Sequence, residues 1–117
     1  MRSWNLLEID APAGTRDPVV LHSDEARAVL IRLAAGQQLG NHEVKERAWI
    51  SVVEGTARLS GADGTSIDAG PGTLAMFDPE ERHSVSSEQG ARILLLLAPW
   101  PGEGHYRGEE KSVGAAR

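Results

Sequence analysis

At 117 residues the chain is long enough for one hydrophobic core and too short for two, and its 40% apolar and 25% charged residues are those of an ordinary soluble globular protein. A net charge of −5, with Lys and Arg scattered, argues against a nucleic-acid surface, which needs clustered cations to neutralise phosphates. The lack of any cysteine removes disulfides, thiolate metal ligands and a Cys nucleophile, and fits a reducing, cytoplasmic compartment.

The chain opens without the apolar run of a signal peptide, and its longest apolar run, Ile93 to Ala98, is too short to span a bilayer, so no membrane partner is expected. Trp4 to Ile9 is predicted as a first short strand, broken by Ala11-Pro12-Ala13-Gly14. Val19 to His22 is β-branched and apolar and predicts a second. Ala26 to Leu33 places Val29, Ile31 and Leu33 on one face; its Ala and Leu content would also suit a helix, but the β-branched residues and the close at Gly36 favour a strand. Gln38 to His42 is a strand by position, and Trp49 to Val53 is a strong one. Glu54-Gly55 turns the chain into Thr56 to Ser60, with Ala57 and Leu59 inward.

Asp63-Gly64 suits a type I′ hairpin turn before Ser66 to Ala69. Gly70-Pro71-Gly72 breaks that strand. Thr73 to Phe77, His83 to Ser86 and Arg92 to Ala98 complete the set, with Asp78-Pro79-Glu80-Glu81 as a turn. About nine or ten short strands with turn signals between them predict an all-β sandwich or barrel. From Pro99 onward, prolines and glycines exclude regular structure, and the polar end from about Arg107 is expected to fray.

Two units stand out, each running from a glycine to a histidine and beyond: Gly36 to Gly55, with His42, and Gly72 to Ser87, with His83. Together they resemble the two motifs of the cupin superfamily. In the first, Gly36, His42 and Gly55 match, while Val44 stands at the second histidine position and Ala48 at the glutamate position. In the second, Gly72 and His83 match, Asp78 takes the proline position with Pro79 one step late, Glu80 takes the glycine position, and Ser87 replaces the asparagine. The resemblance implies an all-β double-stranded β-helix, a jelly-roll barrel forming a single domain over residues 1–117. Its core would be about 26–98, its N-terminal strands 4–22, and its irregular tail 99–117. It also implies a homodimer paired through the edge strands at Trp4–Ile9 and Val19–His22.

Of the four metal ligands in cupin motifs, two remain here, His42 and His83. Glu46 is the nearby carboxylate that would complete a set, because positions 42, 44, 46 and 48 share a face if the segment is extended. Two imidazoles and a carboxylate would suit Fe, Mn, Zn or Ni, whereas Val44 and Ala48 favour a dry pocket and no cofactor. Without metal, a His42–His83 pair can move a proton near neutral pH. A barrel cavity can also hold a small-molecule ligand, with Gln38, His42, Trp49, Met76 and His83 as the candidate lining. Arg47 and Arg82 could meet an anionic group there. Trp100 is expected to plug the barrel end or pack on a partner, and His105 to lie in the tail. The leading expectation is a small-molecule-binding cupin with a degenerate metal site. The alternatives are a metal-dependent dioxygenase or isomerase of small metabolites, and a structural or regulatory homodimer.

Overall fold

The computed structural model describes residues 1–102, and of residues 15–17, 41 and 42 the backbone alone. Nine strands occur there: β1 (Gly14–Ser23), β2 (Arg27–Leu33), β3 (Gln38–His42), β4 (Arg47–Gly55), β5 (Ala57–Ser60), β6 (Ser66–Ala69), β7 (Leu74–Phe77), β8 (His83–Ser86) and β9 (Ala91–Ala98). They form a five-stranded sheet, β1-β2-β9-β4-β7, and a four-stranded sheet, β3-β8-β5-β6, with all strand pairs antiparallel. This is the expected all-β jelly roll. Ala26 to Leu33 is a strand rather than a helix: Arg27 to Leu33 pairs residue for residue with β9. Its inward Val29, Ile31 and Leu33 meet Ile50, Val52, Leu59, Val85 and Ile93 between the sheets. Each such buried aliphatic side chain contributes about 1.5–3 kcal/mol relative to exposure.

Two local expectations fail for local reasons. Trp4 to Ile9 is not a strand. The Asn5 carboxamide accepts a hydrogen bond from Leu7 N and donates one to Glu8 Oε1, while Glu8 N donates to Asn5 O, closing a turn. An Asn side chain that bonds its own backbone competes with strand formation. The β5–β6 hairpin is not a type I′ turn, because Gly64 takes a positive φ and Asp63 does not. Asp63 instead accepts Thr65 N with its carboxylate, which lowers its pKa, and Gly61 N bonds Thr65 O across a five-residue loop.

The arrangement that positions the candidate site is a shared register. Ala48 lies opposite Phe77 in the β4–β7 pair, and His42 lies opposite His83 in the β3–β8 pair. Six positions separate the two pairs on either arm (48 − 42 and 83 − 77). The arm from His42 to Ser51 therefore runs against the arm from Leu74 to His83 in one register, although its two ends belong to different sheets.

Candidate site at the barrel mouth

Where the two arms pass from one sheet to the other, residues 43–47 face residues 78–82. Strand alternation sends even positions of the first arm inward and odd positions outward. The odd positions form three cross-arm ion pairs: Arg82 with Glu43 at 3.1 Å, Lys45 with Glu80 at 2.8 Å, and Arg47 with Asp78. Glu80 N donates to Val44 O at 2.7 Å beneath them. The Lys45 ammonium holds the Glu80 carboxyl below its usual range, and Glu80 in turn raises Lys45. Glu80 also adopts φ 67°, a left-handed conformation that suits glycine, at the position where the resemblance calls for one.

On the inner side, His83 is only 3% exposed. Its Nδ1 lies 2.9 Å from Glu81 O. A carbonyl oxygen can only accept, so Nδ1 carries a proton and donates it to Glu81 O. The ring stacks on Phe77, with centroids 4.3 Å apart and planes within 12°. Phe77 stands opposite Ala48, so an aromatic ring and a methyl group occupy the region where the motif would bring a carboxylate. His42 faces His83 across the β3–β8 ladder, and its side chain lies outside the described residues.

Glu46 is 1% exposed, and its Oε2 accepts Gly102 N at 2.8 Å. This bond belongs to a strap made by residues 98–102. Trp100 N donates to Glu25 O, the Arg27 guanidinium sits 4.9 Å above the Trp100 ring, and that indole packs on the core. Gly102 passes so near that a Cβ would lie 3.0 Å from Lys45 O. Beside the strap a cleft of about 460 Å³ opens, lined by Lys45, Glu46, Arg47, Glu80, Pro99 and Gly102 among others. Arg27 and Phe77 are the contributors that pattern reading missed. The available signal was the turn at residues 78–81, which folds Phe77 back onto His83.

Three expected lining residues are elsewhere. Gln38 is exposed, because its neighbour Leu39 takes the inward position. Trp49 lies on the outer face, since Ala48 and Ile50 are buried on the inner one, and it stands between Leu96 and Met76. Met76 is 54% exposed. These three are corrected from cavity lining to outer surface: a one-residue change of parity moves a strand side chain to the opposite face. Arg47 and Arg82 are occupied by carboxylates across the seam. His105 lies outside the described residues.

Among the described residues no group of three or more His, Cys, Asp or Glu is placed to hold a metal ion. Val44 packs against the core, Ala48 is buried, and one Glu46 oxygen is bonded to the strap. Val44 and Ala48 thus supply no ligand, and of the three candidate ligands His42, Glu46 and His83 the last two have described side chains.

No family model and no curated protein sequence matches the chain. Solved structures do. An RmlC-like cupin protein from Desulfovibrio desulfuricans is 26% identical, with a TM-score of 0.71 over 85% of this chain and 97% of that one. A conserved protein with a double-stranded β-helix domain from Klebsiella pneumoniae is 19% identical, with a TM-score of 0.73 over 86% and 87%. A DMSP lyase from Ruegeria pomeroyi is 18% identical, with a TM-score of 0.63 over 72% of this chain and 42% of that one. Jelly-roll topology, the pairing of His42 with His83 and these neighbours agree, and the chain is by fold a small member of the cupin superfamily.

Proposed function

We propose that this cupin binds a small polar organic molecule at the barrel mouth, without a resident metal. The observation that carries this reading is the buried Glu46 carboxylate on the wall of an open cleft, pre-oriented by Gly102 N–H. A fixed acceptor in a partly desolvated site selects ligands bearing a hydroxyl or amine donor. Lys45 and Arg47 already face Glu80 and Asp78, which favours a neutral, donor-rich ligand over a simple anion. A cytoplasmic location fits the cysteine-free chain.

A calorimetric screen of small polyols, hydroxy acids and amines tests the reading. Glu46→Gln should weaken the best ligand by about tenfold or more, because the charged acceptor is lost at nearly constant volume. Binding unaffected by Glu46→Gln would refute it. A second reading, a metal-dependent dioxygenase or isomerase using His42 and His83, is favoured by the His83 Nδ1–H bond to Glu81 O, since metal-ligating imidazoles are oriented this way. Elemental analysis of natively purified protein separates the two. Stoichiometric metal, lost in both His42→Ala and His83→Ala, would replace the first reading with the second.

A further inference from the structure

The two sheets do not close on each other along one side. β6 is the last strand of the four-stranded sheet, and β7 is the last of the five-stranded one. Ile67 stands opposite Leu59 and Ala75 opposite Ile50, so the register turns both toward the interior. Leu59 and Ile50 are buried, yet Ile67 is 42% exposed. An inward side chain exposed to that degree marks a gap between the two edge strands. The gap is a slot of about 200 Å³, walled by Leu59, Ile67, Ala75 and Phe77 and rimmed by Asp63 and Glu81. The outer face of the larger sheet is covered instead. There Arg92 ties the N-terminal segment through the carbonyls of Leu6 and Ile9, Arg32 ties it through that of Ala11, and Leu30 is fully buried.

At the rim, Gly61 leaves the entrance clear. A Cβ there would lie 2.9 Å from Glu81 Oε2, 3.3 Å from Asp63 Oδ1 and 3.9 Å from Phe77 Cε1. Two carboxylate oxygens and an aromatic edge thus converge on one point. Backbone donors fix both acids: Asp78 N and Ala62 N donate to Glu81, and Thr65 N donates to Asp63. Neither acid makes an ion pair among the described residues, and no Lys or Arg among them lines the slot. We infer that this slot is a second binding site, for a small organic cation: a primary amine carried on an apolar body of one aromatic ring. The volume sets the body, since a cavity of about 150 Å³ takes a benzene ring and this one adds room for a short chain. Apolar walls favour a ring that leaves water. The fixed carboxylates set the head group, because they attract an ammonium more than a hydroxyl and repel an anion. The slot shares no lining residue with the Glu46 cleft, and Phe77 joins it to the interior by stacking on His83.

Amide NMR on the full chain, titrated with phenethylamine at constant pH, tests the inference. Phenethyl alcohol and hydrocinnamate serve as neutral and anionic counterparts. The amine should bind with a dissociation constant of about 1 mM or tighter, and it should shift the amides of Leu59, Ile67, Ala75 and Phe77. The alcohol and the carboxylate should bind about tenfold more weakly or less. Ala75→Leu fills the slot and should abolish binding. Asp63→Asn should weaken it about threefold or more, and an amide oxygen can still accept Thr65 N, so this variant decides the matter if Ala75→Leu misfolds. Asp68→Asn removes a charge that faces Arg58 outside the slot, and should leave binding within about twofold. Equal binding of the three compounds, or no shift with the amine, overturns the inference. So do shifts confined to Lys45, Glu46 and Gly102, which would report the mouth instead. Binding that survives both slot variants, or falls as far with Asp68→Asn, overturns it too.

Discussion

Gly55 and Glu80 show how much one backbone position can weigh. A Cβ on Gly55 would lie 2.2 Å from Gly90 O, at φ 79°, so neither the space nor the conformation admits a side chain. Gly55→Ala should cost about 2–4 kcal/mol in urea unfolding, more than a surface substitution can. Glu80 is the reverse case, a side chain on a left-handed residue. Glu80→Gly removes that strain and forfeits only an exposed ion pair. It should raise the melting temperature by about 2–5 °C; a fall would mean that Lys45–Glu80 outweighs the backbone. The two site histidines were legible as the fixed points of the glycine-to-histidine units. Trp49 and Met76 were not placed, although the alternation that groups 42, 44, 46 and 48 already sends 49 the other way. Large apolar residues suggest a core, and only the observed register shows which face they take.

At the scale of elements, the seam between residues 43–47 and 78–82 joins two sheets with exposed charge rather than apolar packing. Its pH dependence follows from the shifts. Glu80 has a lowered pKa in the fold, so its contribution is present above the ordinary carboxylate value of 4.5 and is lost as pH falls through the folded value. Lys45 is raised, so its contribution is present below 10.5 and lost as pH rises through the folded value. Chemical shifts of the Glu80 and Lys45 side chains should therefore move together with seam amides below about pH 4.5 and above about pH 10.5. Lys45→Met should return the Glu80 titration to the ordinary range. Strand existence was legible because β-branched runs were separated by strong breakers. The seam was not, because its partners are about 35 residues apart in sequence and charge pairing has no local signature.

For the molecule as a whole, the fold followed from many short strands and two spaced motifs, while the cleft depends on residues 98–102 returning to Glu46, which no periodicity announces. The three indoles of the chain occupy three different settings: Trp4 on the tied N-terminal segment, Trp49 on the outer sheet face, and Trp100 under Arg27 at the strap. That distribution makes the protein its own optical gauge. Anything that covers the outer sheet face should blue-shift emission from Trp4 and Trp49 as water leaves it, and Trp49→Phe should remove part of that signal. A ligand at the mouth should act on Trp100 instead, through the strap that ties Gly102 to Glu46, so the two events would be read as separate spectral components from one unlabelled sample.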